Sequence, residues 1–128
     1  MKKPLLFLLA LLLIPFFAKA DVIITGILDG TLSGGCPKAI ELYIVGTEDL
    51  SDYQIERSSN GGAFGSAQTL SGTYTDEFVY LINNSSCGGT SNSFAFVFGT
   101  SGDFANTWSN SVISGNGDDG FRIVEISS

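Results

Sequence analysis

Oxygen-bearing side chains near the end of the chain have the chemistry of a calcium site. Asn116, Asp118 and Asp119 offer hard oxygen ligands between flexible glycines, and Asp29 or Asp103 could join them in space. The EF-hand pattern fails, because its fifth position counted from Asn116 is glycine and its twelfth is serine. The alternative is a tight turn, in which glycine supplies positive φ and Asn or Asp closes the backbone through side-chain hydrogen bonds. We predict the turn, with calcium as the weaker alternative.

The amino-acid composition excludes the common catalytic arrangements that depend on histidine. The chain has no histidine, which excludes Ser-His-Asp and Cys-His catalysis and the histidine-bearing zinc sites. With 13 acidic residues, some pair of carboxylates is always available for glycoside hydrolysis, so availability alone carries little information. No acid lies in a motif that would position or tune it. We therefore predict no enzymatic activity and no cofactor, with a carboxylate hydrolase as the rival interpretation.

Two cysteines, Cys36 and Cys87, each lie in a glycine-flanked loop. In an oxidising compartment a single pair predicts one disulfide bond. Closing a loop of about 50 residues with this bond would stabilise the fold by up to about 4 kcal/mol on the chain-entropy model. A catalytic thiol is the rival interpretation, but the chain has no histidine to activate it.

The first twenty residues have the organisation of a secretory signal peptide. Lys2 and Lys3 form a positive start, residues 5–17 form an apolar run, and Ala18-Lys19-Ala20 gives the small-x-small cleavage pattern. The run is short for a membrane span, which takes about 20 residues. We predict cleavage after Ala20 and a secreted domain over residues 21–128, located outside the cell, at its surface or in the periplasm. No membrane span is expected after cleavage.

The charge of the predicted mature domain limits its partners. Residues 21–128 keep 3 basic and all 13 acidic residues, which gives a net charge of −10. Nucleic-acid binders gain affinity by neutralising phosphates with Lys and Arg, and only Lys38, Arg57 and Arg122 are available for that. Direct nucleic-acid binding is therefore disfavoured.

The elements that must position these residues are short runs rich in β-branched and aromatic side chains. In residues 38–46, Ile40, Leu42 and Ile44 share one face, and in residues 93–99 three phenylalanines do the same. Such alternation places one face on a core and one towards solvent. Short strands separated by turn residues predict an all-β antiparallel sandwich or barrel. The predicted strands are 21–30, 38–46, 53–58, 77–83, 93–99 and 120–127.

The segments between these runs predict turns and loops. Glycine-rich stretches such as NGGAFGS lack the following helix that a phosphate-binding loop requires, so they predict turns. Residues 100–120 predict a long polar excursion that holds Phe104 and Trp108. We expect these two aromatics to anchor the loop on the core, with an exposed binding platform as the alternative.

The order of these motifs resembles the lamin-tail domain family, in the form found as modules of exported bacterial proteins. VIITGILDG is similar to that family's opening strand, AIELYIVG to its I-E-L-Y/F-N element and DLSDYQI to its D-L-S-x-Y/W-x-L element. EFVYLIN is similar to its apolar Tyr-Leu-Val-Val strand, and GNGDDGFRIVE to its closing N-x-G-D-x-I-x-L segment. The resemblance spans residues 22–125. It implies an immunoglobulin-like antiparallel β-sandwich without a catalytic role.

The chain departs from the family pattern at two places. It has Ile44-Val45-Gly46 where the family has an Asn-Pro turn, and it ends at Ser128 where the family adds a strand or hairpin. Three explanations stay open: a fragment of a longer protein, a minimal sandwich lacking its last strand or hairpin, or an edge completed by a partner. Because an open edge strand invites pairing, we expect either a homodimer through that edge or a sequence that is truncated there.

These observations predict an exported non-catalytic module for adhesion, surface association or partner recognition, with a protein or glycan ligand. The alternative from the resemblance is an accessory domain of a secreted nuclease or phosphoesterase, whose catalytic part lies outside this chain.

Overall fold

The computed structural model describes residues 21–83, 93–99, 107–109 and 112–126, with only the backbone described for 107–109. The predicted signal peptide, residues 1–20, lies outside the described residues. Within them the chain is built mainly of strands, with a 3₁₀ turn at Leu50–Asp52 and a short helix, α1, at Phe94–Phe98. The strands are β1 (Asp21–Leu32), β2 (Cys36–Val45), β3 (Thr47–Asp49), β4 (Tyr53–Ser58), β5 (Phe64–Thr69), β6 (Thr73–Thr75), β7 (Phe78–Ile82), β8 (Thr107–Ser109) and β9 (Gly120–Glu125).

The strands form two larger sheets and one small one. The four-stranded sheet has the order β1-β2-β7-β8, the three-stranded sheet β5-β4-β9, and β3 pairs with β6. Pairing is antiparallel except between β7 and β8, which run parallel. The all-β class is therefore confirmed, and the parallel β7–β8 pair departs from the antiparallel prediction.

One long, bent hairpin connects the two larger sheets, with β2, β3 and β4 along one arm and β5, β6 and β7 along the other. Its arms stay bonded between the sheets, since the Leu50 amide donates to the Gly72 carbonyl at 2.8 Å and the Leu70 amide to the Tyr53 carbonyl at 2.9 Å. At the bend, Gly46 has a φ of 72°, which favours glycine. Its amide donates to the Asp76 carboxylate at 2.7 Å. The sequence departs from the lamin-tail pattern at this bend.

The two larger sheets share one apolar core. Ile40, Leu42 and Ile44 of β2 are fully buried, as are Ile55 of β4 and Leu81 of β7. The period of two along β2 brings its three isoleucine and leucine side chains to one face of the sheet. Burying an aliphatic side chain of this size contributes about 1.5–3 kcal/mol to stability. The alternation in the sequence therefore identifies side chains of β2 whose burial stabilises the fold.

Most of the predicted strands are confirmed, although others were not foreseen. The runs beginning at residues 21, 38, 53, 77 and 120 correspond to β1, β2, β4, β7 and β9. β5 lies in the glycine-rich segment that predicted only turns, and β8 lies in the stretch that predicted a long polar excursion. β5 is mostly exposed and β8 has only three residues. Both are defined by pairing with a neighbouring strand, and neither has an apolar pattern that the sequence would show.

The strand predicted at residues 93–99 is wrong, because this segment forms helix α1. Ser93 is the N-cap, and its side chain accepts a hydrogen bond from the Phe96 amide at 3.2 Å. The predicted common face of three phenylalanines is also lost. Phe94 and Phe98 meet at i,i+4 spacing with ring centroids 4.9 Å apart, whereas Phe96 is 68% exposed. Packing of Phe94 on the four-stranded sheet outweighs the strand preference of the local sequence.

Candidate functional site: an aromatic cleft on the outer face of the sheet

The outer face of the four-stranded sheet, opposite the shared core, carries apolar and aromatic side chains. Register pairs Tyr43 with Phe78, Glu41 with Tyr80 and Ala39 with Ile82 across β2 and β7. The rings of Tyr43 and Phe78 lie 4.9 Å apart between centroids. This face was predicted to point towards solvent, but Ala39, Tyr80 and Ile82 are buried in a second apolar cluster.

Helix α1 covers part of this outer face. Phe94, the first residue of the helix, is 3% exposed, and its ring centroid lies 5.6 Å from that of Tyr80. Phe98, one turn later, contacts Phe94 and remains partly exposed. Tilted ring pairs at these distances stabilise the fold by more than the burial of their surface area alone would. The helix therefore forms one wall of a depression whose floor is the sheet.

This depression, here called the aromatic cleft, has a volume of about 210 Å³. Its residues come from β1, β2, β7 and α1, and they are Gly26, Ile27, Leu28, Ala39, Glu41, Tyr80, Phe94 and Phe98. An apolar cleft with few polar groups is the usual form of a ligand site. A second depression of about 400 Å³ shares Leu28 and Phe98 with it and extends along β1.

Glu41 supplies the carboxylate of the aromatic cleft. Its Oε1 accepts a hydrogen bond from the Thr25 hydroxyl at 2.8 Å, and its Oε2 accepts one from the Tyr80 hydroxyl at 2.9 Å. These two bonds hold the carboxylate in one orientation. Gly26 lies opposite Glu41 in the β1–β2 register, and a Cβ built there would stand 3.6 Å from Oε1. The absence of a side chain at Gly26 leaves this oxygen uncovered on that side.

The basic residues after residue 20 are engaged away from Glu41. Lys38 pairs with Asp29, Arg122 pairs with Glu56, and Arg57 donates to the Ser114 hydroxyl. Neither ion pair recorded for the described residues includes Glu41. Within residues 21–83, 93–99 and 112–126, its negative charge therefore has hydrogen-bond donors but no cation.

The aspartates near the end of the chain form a turn. The Asp119 carboxylate accepts hydrogen bonds from the backbone N–H of Asn60 at 2.8 Å and from the backbone N–H of Asn116 at 3.0 Å. These bonds, chiefly the one from Asn60, lower the pKa of Asp119 below its ordinary value. Asp118 is exposed. In the part of the chain that the structure describes, no three acidic or cysteine side chains are gathered as a metal site requires.

Of the other carboxylates considered for calcium, Asp29 lines one depression together with Asn116 and Asp119, but its partner there is a lysine. Asp29 binds the Lys38 ammonium at 2.5 Å, and Asp103 lies outside the described residues. Lys38 is itself 4% exposed and also donates to the Gly115 carbonyl at 2.7 Å. On the sequence alone, Lys38 counts among the three basic residues available to neutralise phosphates. That count is wrong for Lys38, because its charge is buried and paired with Asp29. This link between β2 and the loop before β9 was not predicted from the sequence.

The cysteine prediction is only partly within the described residues. Cys36 begins β2, is fully buried and has no free thiol. Cys87 lies outside the described residues, so a Cys36–Cys87 disulfide stays a prediction. Phe104 also lies outside them, and only the backbone of Trp108 is described, in β8. The question of their anchoring is therefore open.

The aromatic cleft was missed by the sequence reasoning. Phe94 and Phe98 belong to a run that was predicted as a strand with three phenylalanines on one face, so a helix over the sheet was not expected. A signal was present in Ser93, a good N-cap followed by an apolar segment. Another was the aromatic Tyr80, which alternates with the core residues Val79 and Leu81 along the run 77–83.

Comparison with known proteins adds no relative. No protein-family model matches the chain, and neither a curated protein nor a solved structure matches it significantly. Among the described residues, no helix has the length and apolar character needed to cross a membrane.

Proposed function

We propose that this chain is an exported, non-catalytic module that recognises a partner through the aromatic cleft. The observation that carries the proposal is the cleft itself: aromatic rings and one oriented carboxylate on a sheet face whose opposite side already forms the core. A sheet face without a binding role is usually covered with polar side chains. The lack of histidine supports the non-catalytic part, and the N-terminal segment supports export.

The finer description of the fold belongs to the same proposal. We infer an immunoglobulin-like sandwich related to lamin-tail domains, closed by a Cys36–Cys87 disulfide. The sheets that share one core and the buried Cys36 support this description. Thiol titration of the denatured, unreduced protein should find no free thiol. N-terminal sequencing of the exported protein should begin at Asp21.

Recognition through the cleft is tested with the predicted mature domain on glycan and peptide arrays. Wild type should give a defined set of ligands, and Phe98→Ala, which removes one wall of the cleft, should lose them. Phe96→Ala is the matched control, since Phe96 belongs to the same helix, is exposed and does not line the cleft. Ligands that bind Phe98→Ala as well as wild type would show that the cleft is not the site.

Self-association is a second element of the proposal. β9 is an end strand of the three-stranded sheet in the described order, and an end strand has backbone groups available for pairing. We expect a homodimer through this edge, with slow amide exchange along β9 in the dimer. A monomer at all concentrations in analytical sedimentation would contradict the dimer.

A further inference from the structure

We propose that the aromatic cleft binds an organic cation, specifically a substituted ammonium group. This inference rests on the proposed recognition function and specifies the chemistry of its ligand. The carrying observation is that one cleft is lined by the rings of Tyr80, Phe94 and Phe98 and by the carboxylate of Glu41, which has no ion-pair partner among the described residues.

The carboxylate defines the sign of the ligand's charge. Glu41 is half-buried, and its two recorded side-chain partners are the neutral hydroxyls of Thr25 and Tyr80. A partly buried charge is costly unless an opposite charge pairs with it. Lys38 is a near neighbour on β2, but β-strand alternation directs it to the opposite face, where it binds Asp29. A ligand cation would supply the missing partner.

The exposed ring of Phe98, with the largely buried rings of Tyr80 and Phe94 beside it, defines the kind of cation. A cation within about 6 Å of an aromatic centroid is attracted by the ring quadrupole, and substituted ammonium groups are bound well because they are weakly hydrated. The small size of the cleft, about 210 Å³, suits a compact alkylated head rather than a long polymer chain. An inorganic metal ion fits poorly, since one carboxylate among rings cannot supply the oxygen ligands that it needs.

The net charge of the molecule acts in the same direction. Residues 21–128 carry 13 acidic and 3 basic residues, so the long-range field attracts cations and repels anions. A neutral glycan could donate hydroxyl hydrogen bonds to Glu41 but would leave the carboxylate charge unpaired. The electrostatics therefore favour a cation over the neutral ligand.

The test uses choline and its neutral isostere, 3,3-dimethylbutan-1-ol, which differ at the central atom of the head and therefore in charge. Calorimetric titration of the mature domain should show binding of choline that weakens as salt is raised. The isostere should bind at least tenfold more weakly. Vesicles of phosphatidylcholine carry the same head on a lipid, so their co-sedimentation with the domain would assign the group to a membrane source, and binding of free choline alone would assign it to a solute.

Three variants separate the contributions. Glu41→Gln keeps the size and one acceptor but removes the charge, and should weaken choline binding about tenfold or more. Gly26→Ala adds a methyl group at ordinary contact distance from Glu41, 3.5 Å from its Cβ, so the domain should fold while the carboxylate is partly covered. Phe96→Ala is the control and should bind choline as wild type does. Circular dichroism confirms that each variant is folded.

The outcomes distinguish this inference from the proposed function. Equal binding of choline and its isostere, or choline binding unchanged in Glu41→Gln, would overturn the cation inference. Array ligands that depend on Phe98 but carry no cation would also overturn it while the recognition function stands. If neither choline nor any array ligand binds in a way that depends on Phe98, the proposed function is contradicted as well.

Discussion

Replacement of Lys38 by methionine should destabilise the domain substantially. The Lys38 ammonium is almost inaccessible, and it donates to the Asp29 carboxylate at 2.5 Å and to the Gly115 carbonyl at 2.7 Å. It thereby joins β1 and β2 to the loop that precedes β9. Methionine has a similar length and fills the same space, so the change removes the polar contacts with little loss of packing.

The expected magnitude follows from the burial of the two acceptors. The Gly115 carbonyl lies in a buried residue and loses its lysine donor, which costs about 1–3 kcal/mol. The Asp29 side chain is 39% exposed, so water replaces its partner and the lost ion pair contributes about 0–1 kcal/mol. The sum is about 2 kcal/mol of unfolding free energy, which corresponds to about 10 °C in Tm for a domain of this size.

Urea unfolding followed by circular dichroism measures this loss, and a thermal scan gives the change in Tm. Asp118→Asn is the control, because Asp118 is exposed and the change conserves the size of the side chain. That control should change the unfolding free energy by less than about 0.5 kcal/mol. A loss below about 0.5 kcal/mol for Lys38→Met, the range of ordinary surface substitutions, would refute the reasoning.

Three further predictions concern a turn, a buried phenol and a helix cap. Backbone amides lower the pKa of Asp119, so its carboxylate contributes stability above the ordinary pKa of 3.8, and this stability is lost as pH falls below that value. Asp119→Asn should remove this contribution in acid unfolding. The exposed control Asp118→Asn should unfold in acid as wild type does. Burial, and then a hydrogen bond with Glu48, raise the pKa of Tyr53 to about 12. The resulting stability should be complete below about pH 10 and lost as pH rises to about 12, and ultraviolet titration should lose its latest phase in Tyr53→Phe. Ser93→Ala should cost about 1 kcal/mol in urea unfolding, whereas Ser93→Asp, which retains a capping oxygen, should cost less; equal losses would contradict the capping role.

The turn at Asp119 illustrates how a local motif obtains a tertiary role. The spacing Asn-Gly-Asp-Asp-Gly was sufficient to predict a turn, since these side chains bond to nearby backbone groups. The bond that most lowers the pKa of Asp119 comes instead from Asn60 in the β4–β5 connection. Nothing in the local sequence indicates that partner, because the two positions meet only when β9 pairs with β4.

The burial of Lys38 and the aromatic cleft could not be predicted from local sequence, for the same reason. Composition counts Lys38 as a surface charge, and only the pairing of β1 with β2 and the return of the Gly115 loop enclose it. Likewise, Glu41 and Tyr80 are far apart along the chain, and the β2–β7 register places them side by side.

By itself, the sequence determined the all-β class, the core face of β2 and the positions of the main strands, because period-two alternation and turn residues act locally. Only the tertiary structure decided that residues 94–98 form a helix rather than a strand. The segment has aromatic residues suited to either state, and the choice depends on where Phe94 is buried. That burial occurs against Tyr80, on a face that exists only after β2 and β7 have paired. The aromatic cleft is a consequence of this packing, so local sequence patterns did not reveal it.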